Sequence, residues 1–231
     1  ETCYYHTHYK LEISDIRPLA KKYGRLRPFC IEKDIDVVST IYEAFIRDKH
    51  GCIVRSKKDW EGIFTDHSME GGKTYLLLND EGIPEGYILY FLHSSTFRIH
   101  EMGYINNDAY RGLLWFVASH SAQTQKIDWK APSDDMAYIF LWEPRREILQ
   151  HPFVMARVIN VARTLSILCN AVEQVEDFTI EVEDPIAEWN TGVYGIYAGR
   201  VIPQFYGEAD LKCSINTFTQ LAMGFLSVEQ A

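Results

Sequence analysis

His6 and His8 stand two residues apart in an aromatic-rich stretch, Thr2 to Leu11, whose composition is that of a strand. That spacing puts both imidazoles on one strand face, as metal-ligand pairs do, but a tetrahedral site needs further ligands. No third ligand stands in view, so the pair reads as surface histidines and no metal is expected. His100-Glu101 is likewise a lone polar pair on a strand, without the helical H-E-x-x-H spacing of a zinc protease. The carboxylates between Glu173 and Asp184 are interleaved with Val175, Phe178, Ile180 and Val182, which reads as the solvated face of a strand. Trp60, Trp115, Trp129, Trp142 and Trp189 could line a pocket, but core packing suits most of them better. No G-x-S-x-G elbow, P-loop or dinucleotide fingerprint occurs. Motifs alone name no catalytic, cofactor-binding or metal-binding residue.

The elements that would position a site follow from periodicity. Thr2 to Ile13 reads as one strand with no sheet of its own to join. Arg17 to Arg27, basic and carrying Pro18 and Gly24, reads as a linker. Ile35, Val38, Ile41, Tyr42 and Phe45 predict a helix over Asp34 to His50, capped by Asp34, and Ser56 with Asp59 opens a second helix to Phe64. Thr74 to Leu78, Gly86 to His93 and Thr96 to Tyr104 predict three strands, followed by a long apolar helix that Asp108 caps and that runs to about Ala122. Short strands are expected at Ile127 to Trp129 and Tyr138 to Leu141. A second pattern begins near His151. It has a strand-like Met155 to Val161, a helix over Val161 to Leu168 capped by Asn160, and strands at Phe178 to Val182, Val193 to Tyr197 and Glu208 to Ile215. A turn at Trp189 to Gly192 joins the first two of these strands, and a last helix starts at Asn216 or Thr217.

The balance of 23 Lys+Arg against 32 Asp+Glu gives a net charge of −9 over 231 residues, which argues against nucleic-acid and anionic-membrane partners. A hydrophobic fraction of 47 % with 24 % charged residues is globular, and no apolar run approaches a membrane span. Cys3, Cys30, Cys52, Cys169 and Cys213 are odd in number and form no C-x-x-C pair, which suits reduced thiols in a cytoplasmic protein. The chain opens at Glu1 inside a strand and closes at Ala231 inside a new helix, so it reads as part of a longer protein.

The order of elements in the first pattern resembles the GNAT class of acyl-CoA N-acyltransferases. Such folds hold the cofactor pyrophosphate on an R/Q-x-x-G-x-G/A loop at a helix N-terminus. The equivalent stretch here, Met102 to Gly112, has a single late glycine and places Asp108 at the helix start, so the cofactor site looks degenerate. A degenerate GNAT unit followed by an α+β unit is similar to the tandem-GNAT acetyltransferases of the Eis (enhanced intracellular survival) type. The segments that carry this are Trp129-Lys130-Ala131-Pro132-Ser133-Asp134, Met155 to Val161, and Ala209 to Ile215 running into Asn216 to Gly224.

The resemblance implies an α+β / α/β chain in three parts. Residues 1–14 would close a missing first GNAT domain, 15–150 form a second, degenerate GNAT domain, and 151–231 a truncated sterol-carrier-protein-like domain. It implies a parent acetyl-CoA-dependent N-acetyltransferase, in which a deprotonated small-molecule or peptide amine attacks the thioester. This part would bind no acetyl-CoA itself. It would supply acceptor-pocket wall through Trp129, Leu149, His151 and Pro152, together with homo-oligomer contacts. The competing reading is a lipid- or small-apolar-ligand-binding or structural module without catalysis.

Overall fold

The computed structural model describes residues 2–49 and 51–230, and within them the side chains from residue 4 onward. Glu1, the Cys3 thiol, His50 as the end of the first expected helix, and Ala231 lie outside the described residues. The chain divides into two compact units, Tyr5–His151 and Glu1–Tyr4 with Pro152–Ala231. Each unit is a mixed α+β assembly of its own.

The larger unit is built on a seven-stranded sheet. Its strands are β1 (Thr2–Glu12), β2 (Arg25–Pro28), β3 (Lys73–Leu78), β4 (Pro84–His93), β5 (Thr96–Tyr104), β6 (Lys126–Pro132) and β7 (Ile148–Met155). Their order across the sheet is β2-β3-β4-β5-β6-β1-β7. Six consecutive residues of β4, Gly86 to Phe91, are buried, because helices cover both of its faces. On one face, α1 (Ile31–Ile46) and α2 (Lys57–Met69) bring Ile35, Val38, Trp60 and Phe64 onto Tyr87 and Leu89. On the other, α3 (Asn107–Ser119) brings Leu113, Leu114 and Val117 onto Ile88 and Tyr90.

The connectivity corrects several expectations. β1 is not a lone strand: it pairs antiparallel with β6 from His6↔Pro132 to Glu12↔Lys126, which no local sequence signal could announce. Arg17 to Arg27 is not a linker, since Leu19 is buried and Arg25 to Pro28 form the edge strand beside β3. Asp34 does not cap α1. It sits in the first turn, takes a bidentate pair from Arg27 at 2.6 and 2.7 Å and accepts the Cys30 N–H at 2.8 Å. Asn106, not Asp108, caps α3 by accepting the Ala109 N–H at 2.7 Å. Ala137 to Phe140 is a 3₁₀ turn rather than a strand, because Asp135 Oδ1 accepts the Ala137 N–H at 2.9 Å and bends the chain. Met155 to Val161 does not continue as a strand either: β7 ends at Met155.

The smaller unit has β8 (Phe178–Glu183), β9 (Gly192–Tyr197), β10 (Arg200–Pro203) and β11 (Leu211–Ser214) in the order β10-β9-β8-β11. One face is covered by α4 (Val161–Asn170) and α5 (Ile215–Ala222), whose Val161, Leu165 and Phe218 pack on Ile180, Val182 and Ile196. Asn160 caps α4 as expected, accepting the Arg163 N–H at 2.8 Å. β10 was not expected, and β11 is shorter than the expected strand. α5 starts one residue before the first expected position, capped by Ser214. The carboxylate row does not end in solvent. Asp184 is buried and accepts from the Ile186 and Ala187 N–H groups, Asn190 Nδ2 and Arg157. Among the described residues no helix is long and apolar enough to cross a membrane.

Candidate functional site

β5 and β6 run parallel and pair only from Thr96↔Lys126 to Ile99↔Trp129. Beyond those residues both strands continue, to Tyr104 and Pro132, without pairing to each other. A cavity of about 640 Å³ is lined from both strand ends, by Tyr104 and Pro132, and by Phe45, Tyr110, Asp135 and Phe140.

Bordering this cavity lies a buried polar knot. Asp135 Oδ1 accepts from the Tyr9 hydroxyl at 2.8 Å, and Oδ2 accepts from the Tyr110 hydroxyl at 3.1 Å. Burial pushes the Asp135 carboxyl above its ordinary pKa, although the Ala137 N–H and both phenols work in the opposite direction. Burial, with the Asp135 charge, also raises both phenols well above theirs. The knot ties β1 and α3 to the turn after β6.

The start of α3 is ringed by carboxylates. Asp108 stands in its first turn, exposed, with Lys21 Nζ at 3.4 Å. Glu85 accepts from Asn106 Nδ2 at 2.9 Å, Asn79 Nδ2 at 2.9 Å and the Tyr23 hydroxyl at 2.6 Å. Burial opposes its charge, but these three donors keep the Glu85 carboxyl below its ordinary pKa, so it is an anion at neutral pH. The Asn106 side chain already occupies one of the free helical N–H groups that an incoming anion would use.

The expected acceptor-wall residues do not gather in one place. Trp129 on β6 is 3 % exposed and stacks on Tyr9 with ring centroids 5.1 Å apart. His151, on β7, is exposed and packs on the other face of β1, against His6 and His8, each at 5.5 Å. Leu149 is half-buried two residues before it, and Pro152 belongs to the smaller unit.

The two N-terminal histidines are not a plain surface pair. Both are half-buried, and His8 Nε2 lies 2.8 Å from Asp128 Oδ1. Burial, then the charge of Lys130 and the neighbouring His151 and His8, lower the His6 pKa. Even so, among the described residues no group of three or more His, Cys, Asp or Glu converges as metal ligands. His100-Glu101 is not a lone polar pair either, because Arg55 and Tyr87 both engage Glu101. Of the five tryptophans only Trp60 and Trp129 are buried, while Trp115, Trp142 and Trp189 are exposed. Asp135, Glu85 and Asn106 were missed as site residues. Asn106, three residues before the capped Ala109 N–H, carried a readable signal, whereas Asp135 depends on phenols remote in sequence.

Residues 51–158 match the family profile of an acetyltransferase (GNAT) domain, and residues 161–231 that of a sterol carrier protein domain. The first match lies mostly within the larger unit, and the second covers most of the smaller one. A probable N-acyltransferase of unknown function from Enterococcus faecalis V583 superposes with a TM-score of 0.84 at 24 % identity, over 99 % of this chain and 59 % of its own. A GCN5-related N-acetyltransferase from Anabaena variabilis gives 0.79 at 22 % identity, over 100 % and 60 %. Eis1 from Mycobacterium abscessus gives 0.65 at 16 % identity, over 96 % and 58 %. At these identities the likeness establishes the fold, and the chain spans about 60 % of the length of these structures. No curated protein matches significantly.

A GNAT domain implies acetyl-CoA, so the residues here can be weighed against that cofactor. Its pyrophosphate needs bare N–H groups and a positive field at a helix start. Here the start of α3 offers Glu85, Asp108 and a side-chain cap instead, and the cavity at the ends of β5 and β6 is lined by the Asp135 carboxyl and Tyr110. These residues do not fit the cofactor.

Proposed function

We propose that this chain is the non-catalytic portion of a longer, Eis-type N-acetyltransferase that transfers acetyl groups from acetyl-CoA to primary amines. The observation that carries this reading is a GNAT-type sheet whose helix start is guarded by Asp108 and the ionised Glu85. Cofactor binding and proton transfer therefore belong to a further GNAT domain of the parent enzyme, and β1 links that domain to this one. The share of each N-acyltransferase structure left uncovered by this chain supports such a domain.

In this reading Leu149, His151 and Pro152 on β7 supply acceptor-pocket wall, while Trp129, buried against Tyr9, serves the core of the sheet. His151 is exposed and of the residue type that titrates nearest neutral pH, so it suits an amine that must lose a proton. The parent assembles as a homo-oligomer in the cytoplasm, where Cys30, Cys169 and Cys213 stay as the free thiols they are here. A carrier of lipids or small apolar ligands is the second reading, favoured by the sterol carrier protein match over residues 161–231.

Isothermal titration of acetyl-CoA into the chain tests the first reading. No binding is expected from this chain, whereas the parent enzyme releases free thiol from acetyl-CoA when given an amine. Micromolar binding to the chain alone overturns the assignment of cofactor chemistry to another domain.

A further inference from the structure

On the α1–α2 face of the sheet, the chain places one of its own cations inside an aromatic cage. Arg55 lies on the stretch between α1 and α2, where residues 51–55 form no helix or strand. Its guanidinium carbon sits 4.3 Å from the centroid of the Tyr42 ring and 4.5 Å from that of Trp60. Nη1 and Nη2 donate to the two oxygens of Glu101 at 2.8 and 2.6 Å, and the Tyr87 hydroxyl donates to the same carboxylate at 2.7 Å. Two ring faces and a carboxylate presented edge-on match a flat, two-pronged cation, more closely than they match a round ammonium.

Three features separate this cluster from an ordinary buried ion pair. Arg55 and Glu101 keep 15 % and 22 % of their side-chain exposure, so solvent reaches the pair. Trp60 is fully buried, yet its indole Nε1 has no hydrogen-bond partner, a donor left over in the wall of the cage. The stretch carrying Arg55 is exposed as well. Ile53 and Val54 are 68 % and 88 % exposed, and the Tyr42 hydroxyl donates to the Ile53 carbonyl at 2.9 Å. The residues flanking the cation contribute little burial to holding it in place.

We propose that Tyr42, Trp60, Tyr87 and Glu101 form a recognition site for ligands bearing a guanidinium group, and that Arg55 closes this site from within. An external guanidinium displaces Arg55, pairs with Glu101 between the two rings and releases residues 51–55. The self-ligand lowers the apparent affinity by the fraction of time the cage stands open, so removing it tightens binding.

The test titrates ethylguanidinium and N-acetyl-arginine amide into the full chain and into Arg55→Ala, in salt-matched buffer, followed by tryptophan fluorescence. Binding to Arg55→Ala is expected to be saturable and about tenfold tighter than to the unaltered chain. n-Butylammonium should bind more weakly, and Arg55→Ala/Glu101→Gln should bind neither probe. In the unaltered chain, rising probe concentration should speed amide hydrogen exchange across residues 51–55. A folded Arg55→Ala chain with no saturable binding overturns the site, as does binding indifferent to Glu101→Gln. Should Arg55→Ala fail to fold, Arg55→Met keeps the aliphatic stem between the rings and takes its place. Exchange at residues 51–55 that stays constant up to the solubility limit of the probe overturns the displacement, whatever the variants do.

Discussion

Replacing Asp135 by alanine removes the acceptor on which two phenols and one backbone amide converge. The Tyr110 hydroxyl and the Ala137 N–H, at 3.1 and 2.9 Å, would be left buried without it, and the Tyr9 hydroxyl would exchange its 2.8 Å bond for the long 3.4 Å one to the Asp135 carbonyl. A buried donor without an acceptor costs about 1–3 kcal/mol, and such costs overlap when neighbours relax together, so the loss should be about 3–5 kcal/mol. Asp135→Asn keeps one carbonyl oxygen for Tyr9 and Ala137, and Tyr110 can turn to accept from the new amide. Its cost should stay within about 1 kcal/mol.

The two variants also differ from the wild type in pH dependence. Burial raises the Asp135 pKa in the folded state, so the folded chain holds this proton where the unfolded chain has released it. Its contribution to stability is therefore full below the ordinary aspartate value of about 4, and falls as pH rises through the folded pKa. Asparagine has no such fall. Urea unfolding of the larger unit at a series of pH values measures both effects. The knot is refuted as a structural element if Asp135→Ala costs under about 1 kcal/mol. It is refuted equally if Asp135→Asn is as costly as alanine, or if wild type and Asp135→Asn keep a constant difference across pH.

Three further outcomes follow from other parts of the molecule. Ser56 accepts the Asp59 N–H and its own N–H donates to Asp59, so Ser56→Ala should cost about 1 kcal/mol and speed exchange in the first turn of α2. Asp184 is held below the ordinary carboxylate pKa: burial opposes its charge, but Asn190, the Ala187 and Ile186 N–H groups and Arg157 outweigh it. The stability it gives is present above about pH 4 and lost as pH falls through the folded pKa, so in acid titrations Asp184→Asn should lack that limb of unfolding in the smaller unit. In the parent enzyme, Trp129→Ala should lower Tm, with a core loss of about 3–5 kcal/mol, and leave the acceptor KM unchanged, whereas His151→Ala should raise that KM at nearly constant Tm.

What could be read from the sequence was whatever local physics decides. Thr96 to Tyr104 alternates and ends in turns, and it is a strand over those same residues. Ser56 with Asp59, and Asn160, are caps in the sequence and in the fold. The misreadings occur where a neighbour competes. Asp108 has the right residue type for a cap, but Asn106 reaches the Ala109 N–H first. Tyr138 to Leu141 has strand propensity, overridden by an aspartate two residues before the turn. Asp184 ends an alternating row and looks solvated, yet its partners lie in the following turn and at Arg157. The site was hardest to read. Tyr9 and Asp135, or His8 and His151, meet only because β1 enters the sheet between β6 and β7, and nothing near any of these residues encodes that meeting.

The placement of β1 also bears on the order in which the larger unit is made. Strands β2 to β5 are joined through neighbours close in sequence, except for the two helices between β2 and β3, so their loops close at modest entropic cost. β1 leaves the ribosome before all of them, yet its partner β6 is synthesised more than a hundred residues later. Through that interval Tyr9 and Leu11, both buried in the finished sheet, have no β6 to pack beside. So the strand made first waits for a partner made much later, and β7 can join the sheet only after β1 is in place, a non-local order of the kind that folds slowly. A nascent chain stalled before Lys126 therefore leaves the edge of β5 unpaired and the apolar side chains of β1 uncovered.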